Sequence, residues 1–290
     1  MIRSSLILSL ALGAAAFSHA GALPESAKVG AFFAGAQAWS FNHFTVLEAI
    51  DKDAAAGGKT IEFFPGQKLS PENPQKFDQN STKEMRDVVK AKLQEKGITP
   101  VGFGVVGGLG KDEESTRKVF EFCKDMGIGI IVAEPTETKE AYDTIEKLVK
   151  EFDIKMAIHN HPRRPLQPSY RYWDPEYVLS MVKDRDPRMG SCADIGHFVR
   201  SGIKPLDAIH ILKGRIFDSH LKDLTEFGNP KAHDMPFGTG VSGIAEVLNE
   251  YASMGFYGPV DVEYEYHMED NFADVKQCLD FVKAFKPTAK

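Results

Sequence analysis

Cysteine is scarce. Only Cys123, Cys192 and Cys278 occur in 290 residues, with no Cys-x-x-Cys pair, which speaks against a metal or redox role for the thiols. Cys123 and Cys278 fall on apolar helix faces and Cys192 inside a strand. They read as small buried hydrophobes, with one disulfide after export left open. Positive charge is also short: 35 Lys and Arg face 41 Asp and Glu, a net charge of −6. Without a basic stripe, a nucleic-acid partner is not expected. No apolar run reaches the roughly 20 residues of a membrane span, so no membrane anchor is expected. A Walker loop, a Gly-x-Ser-x-Gly elbow and a cysteine-nucleophile context are all missing, which leaves ATP hydrolysis and acyl transfer without support.

The N-terminus does carry an address. Arg3 precedes an apolar stretch from Leu6 to Phe17, and Ser18-His19-Ala20 before Gly21 has the small residues of a cleavage site. Residues 1–20 therefore read as a signal peptide, and 21–290 as a single-domain mature chain, periplasmic or secreted. No cysteine follows the apolar stretch to take a lipid.

From there, strand-like and helix-like patterns alternate. Ala36 to Phe41 reads as the first strand, Phe44 to Ala56 as a helix, and Thr60 to Phe64 as the next strand. Ser81 with Glu84 reads as a capping box before the face Met85, Val88, Val89 and Leu93. Further helices close at Gly97, Gly127, Gly214 and Gly255, each followed by a short apolar run. About eight strand–helix units over about 260 residues match an α/β fold of the (β/α)8 TIM-barrel type. A doubly wound open sheet is the alternative, with fewer strands. Three strand-to-helix loops are long, at 65–80, 162–172 and 224–240, all at the end of the barrel where substrate pockets form.

Acids and imidazoles gather at that end. Glu134, the pair His159 and His161, Asp194 with His197, His220 with Lys222, and Glu263 with Glu265 each follow an apolar run. Residues two apart on a strand share a face, so His159 and His161 point inward and Asn160 away. The mixed oxygen and nitrogen set suits one divalent ion such as Mn, Mg, Co or Zn. A lone aspartate at a strand end more often caps the next helix; three ligands in successive units make coincidence the weaker account. Gly102-Phe-Gly104-Val-Val-Gly107 matches a dinucleotide pattern, but the next helix starts near Asp112, too late for that mechanism, and a flexible strand-end loop is expected instead.

The motifs Ile-His-Asn-His-Pro (158–162), Ala-Asp-Ile-Gly-His (193–197), His-Leu-Lys-Asp (220–223) and Val-Glu-Tyr-Glu-Tyr (262–266) resemble exported sugar phosphate isomerase/epimerase-like proteins of the xylose isomerase-like TIM-barrel superfamily. The likeness extends over nearly the whole mature chain. It implies that Asp194, His220 and Glu263 are metal ligands. The first ligand departs from the pattern: epimerase-like members carry glutamate where His159 stands. Glu134 is favoured as the fourth ligand, with His159 or His161 as alternatives.

The resemblance implies a sugar isomerase or epimerase that abstracts a proton next to a carbonyl through a metal-stabilised enediolate. Glu263 and His161 are the proton-moving candidates, with His197 and Lys222 as acids for a departing oxygen. His159, Trp173, His233 and Glu265 are candidates for binding a small carbohydrate. Tyr170 and Tyr172 could stack on a sugar, Arg163 and Arg164 read as solvated loop charges, and Glu62 and Trp39 are weaker candidates. Lys222 and Asp223 could pair with each other, and His43 and His210 read as structural. A lyase or hydratase on 3-keto-glycosides or ketosugars stands close behind. A non-catalytic carbohydrate-binding barrel and an endonuclease IV-like phosphodiesterase are further readings, and a homo-oligomer is left open.

Overall fold

Helix boundaries follow local chemistry. Thr45, Asp112, Thr138, Asp174 and Asp194 each accept a hydrogen bond from a backbone N–H in the first helical turn, satisfying donors that the helix itself leaves unpaired. Gly57, Gly97, Gly127 and Gly255 close four helices in the left-handed region, where a Cβ is costly. The computed structural model describes residues 23–288; the expected signal peptide, 1–20, lies outside them.

Eight strands form the barrel: β1 (Phe32–Gln37), β2 (Thr60–Phe63), β3 (Thr99–Leu109), β4 (Ile130–Pro135), β5 (Lys155–His159), β6 (Met189–Cys192), β7 (Ile216–Leu221) and β8 (Pro259–Val262). Each pairs in parallel with the next, and β8 pairs with β1, closing the sheet. Helices α1 (Val46–Ala56), α2 (Lys83–Lys96), α3 (Glu113–Met126), α4 (Lys139–Phe152) and α5 (Pro175–Val182) alternate with the first strands. Two short helices, α6 (Ile195–Arg200) and α7 (Pro205–Ile211), fill the link from β6 to β7, and α8 (Ile244–Met254) and α9 (Phe272–Ala284) complete the ring. Strands covered on one side by helices and on the other by the barrel interior should be buried throughout. Every residue of β1, β2, β6 and β8 is. The three cysteines are free and buried.

Three local expectations are corrected. The first strand is Phe32–Gln37, and Ala38–Phe41 is a 3-10 turn; the side-chain oxygen of Gln37 accepts the Trp39 N–H and ends the strand. The cap of α2 is Thr82 rather than Ser81. A complete capping box stands instead at Thr45 and Glu48. The glycine-rich 102–107 segment is strand, because β3 stays paired with β4 out to Leu109 and Pro135.

Candidate active site

The carboxyl ends of β5 to β8 bring the chemistry together. His159 ends β5, Asp194 lies two residues beyond β6 as the cap of α6, His220 is the penultimate residue of β7, and Glu263 directly follows β8. All four are buried, and one donor atom from each lies within 4.8 Å of the others. His220 Nδ1 is 2.9 Å from Glu263 Oε2 and 3.8 Å from Asp194 Oδ2. His159 Nε2 is 3.5 Å from Asp194 Oδ2. Neither ring nitrogen of His159 has a hydrogen-bond partner among the described residues, although its side chain is almost wholly covered. A buried polar group without a partner is costly. Two carboxylates, two imidazoles and orphaned ring nitrogens form a donor set that fits a borderline divalent cation.

Lys222 completes the electrostatics. Its stem packs where Gly196 has no side chain; a Cβ there would come within 2.5 Å of Lys222 Cβ. Its ammonium is 2.5 Å from Asp194 Oδ2, touches Glu263 Oε2, and is 3.7 Å from Glu265 Oε2. Burial lowers a lysine's pKa, yet the facing carboxylates outweigh it and hold Lys222 protonated. Burial likewise works against ionisation of Glu263, but attraction to Lys222 and then His220 brings its pKa down to about 2. Asp194 is also held well below the usual range, with burial outweighed by His197 and Lys222. Burial pushes His159 down and His197 well below the usual imidazole value.

Glu134 sits at the other side of His159. Its Oε1 is 2.6 Å from His161 Nδ1 and accepts the Tyr170 hydroxyl. The His161 hydrogen bond overcomes burial and lowers the Glu134 pKa to about 2. The group Glu134, His159 and His161 could also hold an ion, and His159 belongs both to it and to the group with Asp194, His220 and Glu263. His161 is partly exposed, whereas His159 is sealed in.

Beneath the centre lies a second polar layer, of which the sequence singles out only Glu62, as a weaker candidate. Glu62, Asp218 and Asp261 are fully buried in the barrel. Glu62 Oε1 accepts from Gln37 Nε2 at 3.2 Å, and Glu62 Oε2 lies 3.2 Å from His220 Nε2. A carboxylate behind the far nitrogen of an imidazole fixes the ring and its tautomer. Gly102 makes the room, since a Cβ there would meet Glu62 Oε2 at 2.6 Å. Burial, with the charge of Glu62 next, raises Asp218 well above the usual range and Asp261 to about 8.

The remaining candidates scatter around the mouth. His197 Nδ1 accepts from Arg200 at 3.1 Å, and the same guanidinium binds Glu265 at 3.0 Å and Asp234 at 3.2 Å. His233 stacks on Tyr266 at 4.2 Å, and Arg163 lies 4.9 Å over Trp173. Tyr172 is buried and donates to the Pro135 carbonyl. Lys222 and Asp223 point apart: Asp223 accepts from the backbone of Gly238, Gly240 and Ser242. Alternation along the strand end explains the split. Arg200, Asp234 and Gln37 are not singled out by the sequence, because a lone polar residue on a short helix or at a strand end resembles any solvated one, and Asn160 reads only as pointing away from the interior.

The chain belongs to the family of xylose isomerase-like TIM barrels, whose model matches residues 50–285. Among solved structures it is similar to an uncharacterised protein from Parabacteroides distasonis, with 32% identity over 86% of this chain and 97% of that one, and a TM-score of 0.67. It shares its fold with a D-psicose 3-epimerase from Clostridium cellulolyticum, at 13% identity over 83% and 94% of the two chains and a TM-score of 0.62. A probable 3-DHS dehydratase of petrobactin synthesis from Bacillus anthracis matches at 14% identity over 87% and 98%, with a TM-score of 0.63. No curated protein matches the chain.

Proposed function

We propose that this barrel is a divalent-cation-dependent enzyme acting on a small carbohydrate, a sugar isomerase or epimerase that moves a proton on the carbon beside a carbonyl. The observation that carries this reading is the buried quartet His159, Asp194, His220 and Glu263, faced by the hydrogen-bonded pair Glu134 and His161. The quartet would hold Mn, Mg, Co or Zn. Bound there, such an ion polarises a carbonyl oxygen and offsets the charge that develops on it as the neighbouring C–H breaks.

The chain's own groups supply the proton path. With Nδ1 directed at Glu134, His161 keeps Nε2 for the substrate; the tautomer is assigned from that hydrogen bond. Glu134 stays ionised and steadies the imidazolium that forms when His161 takes a proton. Glu263, kept ionised beside Lys222 and His220, is the second carboxylate able to accept one. Glu62 keeps the His220 ring in place.

A lyase or hydratase is the second reading, favoured by the rings of His161 and His197 lying 5.3 Å apart. His161 would take the proton and return it to the departing oxygen, which the Nε2–H of neutral His197 would hold by a hydrogen bond. The dehydratase among the similar folds supports it as the epimerase supports the first. Export through residues 1–20 belongs to the proposal and favours an unphosphorylated ketosugar or glycoside. NMR in D2O with ketosugars and 3-keto-glycosides separates the readings. Deuterium next to the carbonyl without loss of water or aglycone marks the isomerase; release of alcohol or an unsaturated sugar marks the lyase. No exchange and no product with any substrate would leave only a binding barrel.

A further inference from the structure

A cavity opens between the loops that follow β1 and β2. It has a volume of about 450 Å³ and is lined by Trp39, His43, Phe64, Gln67, Ser70 and Pro71 among others, within the size range of small-molecule sites. Both loops leave the carboxyl ends of their strands, so the cavity shares the face of the barrel that carries the quartet.

Two features mark it as built for a ligand. Trp39 is 39% exposed, unusual for the largest apolar side chain, and is held upright by an edge contact to Phe64 with ring centroids 4.9 Å apart. Gln67 is 3% exposed, and its amide nitrogen donates to the carbonyls of Phe41 and Phe44 at 3.2 and 3.1 Å. Its amide oxygen is enclosed and has no partner among the described residues, an unpaired acceptor in the wall of the cavity. An open indole suits the apolar C–H face of a hexose ring, and the polar side chains of Asn42, Lys68 and Ser70 on the lining suit its hydroxyls. No carboxylate lines the cavity and Lys68 does, which argues against a cation as its ligand.

Hydrogen bonds tie the cavity to the quartet. The Trp39 N–H donates to Gln37, Gln37 donates to Glu62 at 3.2 Å, and Glu62 meets His220 at 3.2 Å. Next to Trp39, the Ser40 hydroxyl donates to the Val262 carbonyl at 3.1 Å and accepts the Tyr264 N–H at 2.9 Å, clasping both neighbours of Glu263. The geometry points to a glycosyl-binding subsite at Trp39 and Gln67 that takes the second ring of a disaccharide or glycoside whose first ring sits at the quartet. This rests on the carbohydrate reading above and deepens it: the substrate is larger than a monosaccharide.

The sequence holds two tryptophans, so Trp173→Phe leaves Trp39 as the sole indole reporter. That variant is titrated with cellobiose, maltose and trehalose, and with glucose as the comparison, in the presence of EDTA. A saturable change in emission with at least one disaccharide, at roughly tenfold lower concentration than with glucose, is expected. Calorimetry should show that Trp39→Ala, at an exposed position that threatens the fold little, weakens that disaccharide by roughly tenfold while Trp39→Phe restores most of it. Flat emission with all three disaccharides, or an affinity unmoved by Trp39→Ala, would overturn the subsite. Because EDTA is present, failure of the cation proposal leaves this result intact, and the two can fail separately.

Discussion

Asn160 and the backbone of Asp194 hold each other by two hydrogen bonds: Asn160 Nδ2 donates to Asp194 O at 3.0 Å and Asn160 Oδ1 accepts Asp194 N–H at 2.9 Å. The side chain that faces away from the barrel interior thus pins the strand end that presents Asp194. Asn160→Ala would leave the buried Asp194 N–H without a partner, while the Asp194 carbonyl keeps the Phe198 N–H, at a cost of about 2 kcal/mol. Chemical denaturation should show that loss, and calorimetry a weaker divalent affinity. An unchanged midpoint and affinity would show that the strand end is fixed by other contacts.

Lys222 sits between Asp194 and Glu263. Lys222→Met removes one partner of a buried charge cluster, a change that costs about 3–5 kcal/mol. Thermal melts followed by circular dichroism should fall accordingly in EDTA, with Mn²⁺ recovering part of the loss because it supplies positive charge to the same carboxylates. A variant as stable as the parent in EDTA would remove Lys222 from this role.

Glu134 orients His161. Glu134→Gln should slow deuterium exchange by about 10²–10⁴-fold, as expected for impairing a general base, with little change in KM. Stability should respond to acid as well. The folded pKa of Glu134, about 2, lies below its ordinary 4.5. Its stabilisation is therefore complete above about pH 4.5 and lost as pH falls through 2. The stability gap between parent and Glu134→Gln should close across that window, and a gap that is constant with pH would contradict the assignment.

Asp261 runs the other way. Its folded pKa is raised to about 8, so holding it inside the barrel costs increasing stability from about pH 4 until pH 8 is passed. Asp261→Asn, which mimics the neutral acid, should be nearly silent at pH 4 and stabilising at pH 8. Melting midpoints at the two pH values decide; a variant equally destabilised at both would show that the carboxyl is ionised in the fold.

The barrel was legible because strand and helix periods alternate and because glycines and cap residues mark the joints, as Gly97, Gly127 and Asp174 do. The strand-end acids and imidazoles were legible for the same reason: position in the repeat determines which end they occupy. What the sequence left open was distance across the closed barrel. It offered Glu134, His159 and His161 as the remaining ligand, favouring Glu134. Closure places His159 with Asp194, and sets Glu134 with His159 and His161. Asp218 and Asp261 stayed hidden, and Glu62 stood only as a weaker candidate, because the layer exists only when closure of the barrel brings the adjacent strands β7 and β8 round to β2. Local competition decided the smaller errors: Gln37 ended β1 early, and Thr82 displaced Ser81 as the cap of α2.

Metal analysis of the purified chain, after exposure to Mn²⁺, Co²⁺ or Zn²⁺ and removal of loosely held ion, tests the central assignment most directly. One tightly held divalent ion per chain is predicted, lost on His220→Asn or Asp194→Asn in variants that still show the parent's circular dichroism. A folded parent that retains no divalent ion, or an ion that survives both substitutions, would contradict it.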